Sequence, residues 1–206
     1  MAQTRATRTV AMQQAAREAL DQVRAGNRRF ADGSPQDHLV GPDRRAELVV
    51  AQEPIAVVLG CVDARVPPEL VLDQGVGDLL TVRTAGQSLA GVALGSIEFG
   101  VRVLGVPLVL VLGHTGCGAV LAAMKDDRPA EGHLGELTGE VADRLTDVVG
   151  DDPVRATGAN LQATVDALRD LGTLVTDGGP AFVVGGLYDM ATGEVTITDD
   201  GGIYDR

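Results

Sequence analysis

Cys61 and Cys117 are the only cysteines of the chain, and each closes an apolar, strand-like run. Gly60-Cys61-Val62-Asp63-Ala64-Arg65 follows Ile55 to Leu59, and Gly113-His114-Thr115-Gly116-Cys117-Gly118 follows Leu108 to Leu112. Thiolate and imidazole are the donors zinc takes in proteins, and three protein ligands leave a fourth position for water, as in catalytic rather than structural zinc sites. His114 and Cys117 stand three residues apart, a spacing at which a turn entering a helix presents both to one ion. Cys61 can join them only through the fold. Taken singly, either cysteine reads better as a small buried apolar residue. Together, each after an apolar strand, each flanked by glycine and one with a histidine nearby, they favour the metal reading. Asp63 and Arg65 leave two readings open. One is a surface ion pair worth about 0–1 kcal/mol. The other is a bidentate pair that keeps a carboxylate ionised next to the ion.

These residues can meet only if the surrounding elements bring strand ends together. Ile55 to Leu59, Leu79 to Val82, Pro107 to Leu112 and Ala181 to Leu187 are short, continuous, β-branched apolar runs, the pattern of strands buried on both faces. Glu194 to Thr198 reads as a short alternating strand beyond the turn Thr192-Gly193. Between the strands, helical spacing covers Ser88 to Leu104, Cys117 to Lys125 and Ala156 to Leu171. An amphipathic helix spans Ala11 to Ala25 and resumes through Phe30. Alternating strands and helices predict an α/β fold, with a mostly parallel central sheet flanked by helices and an N-terminal helical arm. Sites in such sheets form beyond the carboxyl ends of strands, where both cysteine blocks lie. Residues 126–152, rich in Gly and Asp, carry no assignable element. His38 and His133 lie in polar, loop-like sequence and read as exposed residues without a role.

Composition narrows the function classes. The 206 residues suit one domain with a sizeable core. A net charge of -12, with no basic stripe, argues against a nucleic-acid surface. Sixteen of the seventeen basic residues are Arg, Lys125 being the exception. No run approaches the roughly 18–20 uninterrupted apolar residues of a transmembrane helix, and residues 1–10 show no apolar secretory core. The expected location is cytoplasmic, where two cysteines are thiols or thiolates rather than a disulfide.

Cys61-Val62-Asp63-Ala64-Arg65 with His114-Thr115-Gly116-Cys117 resembles the C-x-D-x-R and H-x-x-C pattern of the β-class carbonic anhydrases. Further segments follow in the family's order: Gly26-Asn27-Arg28-Arg29-Phe30, Arg83-Thr84-Ala85-Gly86, Ser96-Ile97-Glu98-Phe99-Gly100-Val101 with Leu104-Gly105-Val106, and Tyr188-Asp189 with Thr192-Gly193. Departures include Val58 where some members carry tryptophan, and Thr84 and Gln87 where Asn is frequent.

The resemblance implies a zinc ion on Cys61, His114 and Cys117, with Asp63 and Arg65 as a catalytic dyad. It implies substrate contacts from Gln52, Phe99 and Gly118; from the residues alone, Gln52 reads equally as a solvated loop residue and Phe99 as helix packing. The implied reaction is reversible hydration of CO2 to bicarbonate and a proton by attack of zinc-bound hydroxide. Hydrolysis of a related small molecule such as carbon disulfide, or a silent zinc- or bicarbonate-binding protein, are the alternatives. The implied assembly is a homodimer or homotetramer. Residues 1–35 would form a helical arm on a partner subunit, and residues 36–206 the zinc-binding catalytic domain. Neither nucleic acid nor membrane is expected as a partner.

Overall fold

The computed structural model describes residues 5–36, 41–125, 131–146 and 152–203. Helix α1 (Arg5–Ala31) leads to α2 (Pro42–Glu47), β1 (Ala56–Gly60), α3 (Pro68–Val71) and β2 (Leu79–Arg83). A 3-10 turn at Ala85–Gln87 precedes α4 (Gly91–Glu98), which continues as a π-helical turn, Phe99–Val103, before β3 (Leu108–His114). Helices α5 (Gly118–Ala123), α6 (Gly132–Asp143) and α7 (Pro153–Asp170) follow. The two-residue strands β4 (Val175–Thr176) and β5 (Gly179–Pro180) then lead to β6 (Phe182–Tyr188) and β7 (Val195–Asp199).

The main sheet has the order β2-β1-β3-β6-β7, with the first four strands parallel and β7 antiparallel to β6. Every position of β1 and β3 is buried, which is why their sequences are continuously apolar rather than alternating. Successive residues nevertheless serve opposite faces. Val58, Leu108, Leu110, Leu112 and Val184 pack with Ala16, Ala19, Leu20 and Val23 of α1. Val57, Leu59, Val109, Val111 and Val183 pack with Ile97 and Val101 on one side and with Leu161, Val165 and Leu168 of α7 on the other. The result is the expected three-layer α/β arrangement. From β1 the chain moves outward to β2, then returns across β1 to lay down β3 on its far side. The carboxyl ends of β1 and β3 therefore flank the point where strand order reverses, the position at which open α/β sheets hold ligands.

Helix α1 is one uninterrupted element, passing through Gly26 and Asn27, where a break was expected. Its apolar stripe, Ala16, Ala19, Leu20 and Val23, is covered by its own chain. Residues 26–29 make the clasp. A Cβ on Gly26 would stand 1.9 Å from the Leu72 carbonyl oxygen, so only glycine allows the helix to approach α3 this closely. Buried Asn27 donates from Nδ2 to the carbonyls of Val71 (3.0 Å) and Gly193 (2.9 Å) and accepts from the Val195 N–H (2.7 Å). Arg29 Nε donates to the buried carboxylate of Asp73 at 2.5 Å. These contacts leave the polar face of α1 and exposed Val10 for any further subunit.

Two other segments differ from expectation. Helical spacing from Ser88 to Leu104 becomes an α-helix only at Gly91, because Ser88 (ψ 138°) and Ala90 (ψ 151°) are extended, after a turn in which Gly86 and Gln87 adopt positive φ (61° and 55°). The stretch without an assignable element contains α6, whose buried positions Gly135, Thr138 and Val141 hold a single large apolar side chain. No described helix is long and apolar enough to cross a membrane.

Candidate metal centre

Cys61 is the first residue past β1, His114 the last of β3, and Cys117 the N-cap of α5. Gly116, at φ +67°, makes the tight turn that brings Cys117 back beside His114. The ligand atoms of the three residues lie within 4.8 Å of one another, and all three residues are buried. Bond lengths of about 2.0–2.3 Å put tetrahedral zinc ligands roughly 3.3–3.8 Å apart, so the set is gathered to within about an ångström of what the ion needs.

His114 decides the fit. Its Nδ1 lies 3.0 Å from the Thr115 carbonyl, which can only accept, so the hydrogen-bond geometry assigns the ring proton to Nδ1. Nε2 then presents its lone pair toward the sulfurs. It is, among the described residues, the one buried side-chain nitrogen or oxygen with no hydrogen-bond partner. An unsatisfied buried polar atom costs about 1–3 kcal/mol, and a cation on Nε2 removes that cost. Fixing one ring nitrogen through a backbone carbonyl is how metal-ligating histidines are oriented.

The sulfurs are prepared in the same way. The backbone N–H groups of Gly86 and Asp63 near Cys61, and those of Val120 and Ala119 in the first turn of α5 near Cys117, favour the thiolate form of each sulfur. Between the two sulfurs, the Cys117 thiol donates to Cys61 and pulls the Cys61 pKa down, while the same contact pushes Cys117 up. The pair on its own favours one thiolate, and a divalent cation supplies the charge that lets both ionise. Burial, the largest single influence, lowers the His114 pKa; the neighbouring Cys61 sulfur, the Thr115 carbonyl and the Asp63 carboxylate together outweigh it and turn the shift upward. Metal binding at Nε2 would release a proton held there.

Asp63 stands beside the cluster without belonging to it. Arg65 grips its carboxylate with both arms: Nε donates to Oδ1 at 2.9 Å and Nη2 to Oδ2 at 2.7 Å, while the Arg65 backbone N–H adds a third bond to Oδ1 at 2.9 Å. These bonds hold the Asp63 carboxyl well below the usual carboxylate range. The side chain of Asp63 is 16% exposed and that of Arg65 63%, so the carboxylate sits at the mouth of the site with its partner outside.

Arg83 is a site residue whose part sequence reasoning missed. At the end of β2, in register with Gly60, it donates from Nε to the Cys61 carbonyl and from Nη2 to the Asp63 carbonyl, both at 2.7 Å. It thereby fixes the backbone that carries one ligand and the carboxylate. The available signal was a charged residue ending a strand that neighbours β1.

The remaining expected site residues are placed differently. Gly118 opens α5 directly after Cys117, and a Cβ there would meet nothing within 4 Å. Gln52 is exposed in the loop entering β1, at the opposite end of that strand from Cys61. Phe99, 48% exposed, lies on the helical turn that covers the sheet rather than in the cluster. His133 is exposed on α6, 3.2 Å from Glu136, and His38 lies outside the described residues.

Residues 56–195 match the family described as carbonic anhydrase. The chain belongs to the β-carbonic anhydrase family. Carbonic anhydrase 2 of Mycobacterium tuberculosis is 37% identical over 190 residues, which cover 86% of this chain and 90% of that protein. A carbonic anhydrase of Mycolicibacterium smegmatis is 39% identical over 186 residues, covering 85% and 89%. The crystal structure of a β-carbonic anhydrase from Aspergillus fumigatus superposes with a TM-score of 0.68 at 28% identity, covering 77% of this chain and 82% of that one. In this β-carbonic anhydrase the matched span runs from the first residue of β1 to the first of β7. It holds the Cys-His-Cys cluster, the Asp63–Arg65 pair and Arg83.

Proposed function

We propose that the chain catalyses reversible hydration of CO2 to bicarbonate and a proton at a zinc ion held by Cys61, His114 and Cys117. The observation that carries this reading is the buried, unpartnered Nε2 of His114 facing two cysteine sulfurs, with an ionised carboxylate at the mouth. Zinc bound there would lower the pKa of a water and supply hydroxide near neutral pH. Two thiolates and a neutral imidazole offset its charge, so that ionisation should fall somewhat above the value of about 7 found with three histidines.

The protein's own groups orient the reaction. Asp63, kept ionised by Arg65, can only accept a hydrogen bond; it takes one from the O–H of the nucleophile and so turns a lone pair toward the carbon of CO2. Arg65 keeps the carboxylate from swinging inward, and Arg83 holds the carbonyls of Cys61 and Asp63 away from the mouth. Gly118 leaves open space on the Cys117 side. A reducing compartment such as the cytoplasm suits the centre, because Cys61 and Cys117 can ligate only as thiolates.

Stopped-flow CO2 hydration with a pH indicator, on protein of measured zinc content, tests the reading. Zinc-replete protein should accelerate hydration, with a rate that rises with pH. Asp63→Asn should lower that rate on the order of 10–100-fold, as loss of an outer-shell partner does. No acceleration by zinc-replete protein would sink the proposal, and turnover of carbon disulfide in its place would reassign the substrate.

The working unit in this reading is at least a homodimer. Val92, Phe99 and Val103 are exposed by 86%, 48% and 66% along the α4 segment, an apolar strip suited to a second copy. Gln52, remote from its own cluster, would act in a partner's site. Sedimentation at micromolar concentration should show a dimer or larger; a fully active monomer would refute it.

A further inference from the structure

The turn at residues 84–89 contributes no ligand, yet it lies against the metal centre. The Thr84 N–H donates to the Gly60 carbonyl, next to Cys61, at 3.1 Å, which brings the Gly86 N–H toward the Cys61 sulfur. A Cβ on Gly86 would stand 3.0 Å from Ala119 and 3.1 Å from Val141, so the turn is wedged between α5 and α6. Gln87, only 2% exposed, holds φ +55°. A non-glycine residue in that region is strained and persists only where its surroundings over-determine it.

One strand and two helices supply the determination. Gln87 Nε2 donates to the Leu112 carbonyl of β3 at 3.0 Å, and Asn160 Nδ2 of α7 donates to the Gly86 carbonyl at 3.0 Å. Glu140 of α6 accepts from the Leu89 N–H at 2.8 Å, from the Ser88 hydroxyl and from Arg144. Arg144, 11% exposed, extends from Glu140 to the Gln87 carbonyl and to Asn160 Oδ1, both at 3.4 Å. Burial of such an ion pair is by itself weak evidence for a stabilising role, since an apolar pair of similar volume often serves as well. What the charges provide that an apolar pair would not is a set of directed bonds to one turn.

We propose that Glu140 and Arg144 are positioning residues of the metal centre: through Ser88, Leu89 and Gln87 they hold the 84–89 turn so that the Gly86 N–H meets the Cys61 sulfur. An N–H bond to a ligating thiolate withdraws charge from the sulfur and fixes its direction, the means by which outer-shell groups tune metal affinity. The proposal rests on the reading of the cluster as a zinc site.

The test uses Co2+ in place of zinc in the full-length protein. Cobalt reports the thiolates through a sulfur-to-metal charge-transfer band, and competition against a chelator reports affinity. Glu140→Gln should move that band to lower energy, because the sulfur regains charge, and should weaken Co2+ binding roughly 10–100-fold. Ser88→Ala removes one link while leaving the ion pair intact; it should shift both readouts the same way by less, and it carries the test if Glu140→Gln fails to fold. Band and affinity equal to those of the wild type in a folded variant, whatever its melting temperature, overturn the positioning role. A wild-type protein that takes up Co2+ without a sulfur band would instead overturn the zinc reading on which the proposal stands.

Discussion

Cys117→Ser is expected to abolish metal binding and activity while leaving the fold in place. A neutral hydroxyl is a poor zinc ligand beside a thiolate and an imidazole. The two remaining donors, Cys61 and His114, make an incomplete set. Loss of an outer-shell partner costs about 10–100-fold in affinity or activity, and loss of a ligand should exceed that. The fold should survive because Cys117 occupies the N-cap of α5 without making a side-chain cap bond. Serine is among the preferred residues there and can accept from the first turn. The variant thus separates metal binding from stability. Bound zinc, measured per chain, should fall from one to near zero. The melting temperature of the chelated variant should equal or slightly exceed that of the chelated wild type. Added zinc should raise the melting temperature of the wild type alone, since only a ligand bound by the native state stabilises it. Full zinc occupancy in Cys117→Ser would remove Cys117 from the ligand set.

The parts of this centre that were legible in the sequence share a physical cause. β1 and β3 were placed to within a residue or two because strands covered on both faces must be apolar throughout, and little else in the chain is. The cysteines stood out because there are two of them, each at a strand end. Less visible were features that depend on what lies across from a residue. The stripe on α1 requires a cover but does not say whose, and the structure supplies it from the same chain. Helix α6 hides its packing face behind Gly135 and Thr138, chosen for close approach rather than apolar area. The turn at Gly86 and Gln87, just before the helical spacing that begins at Ser88, went unassigned because a left-handed glutamine has no sequence signature. Arg83 declared its charge but not its two carbonyl partners, which only the parallel pairing of β1 with β2 brings beside it. Gln52 was assigned by resemblance to a site that, within one protomer, lies at the far end of β1.

Gly26→Ala is expected to be among the most destabilising single changes in the chain, against the direction that helix propensity gives. In a helix interior, alanine is favoured over glycine by roughly 0.5–1 kcal/mol. Here the added methyl would stand 1.9 Å from the Leu72 carbonyl oxygen and 2.7 Å from Gln74 Nε2. The Gln74 amide can turn aside; the Leu72 carbonyl belongs to the backbone at the end of α3 and cannot. Helix α1 must then lift from α3, and the lift acts on groups one and three residues away. Asn27 would lose its three buried bonds, and Arg29 would leave the buried carboxylate of Asp73. Overpacking alone costs about 1–3 kcal/mol, and orphaning a buried polar group adds about 1–3 kcal/mol more. A chain of this size loses about 2–4 °C of melting temperature per kcal/mol, so a fall of roughly 10 °C or more is the expected result. Gly158→Ala supplies the contrast: it lies inside α7, where a Cβ would meet nothing within 4 Å, and propensity should prevail there with a small gain. Calorimetry of both variants decides the matter, and an unchanged melting temperature for Gly26→Ala would show that α1 is not held against α3 as described.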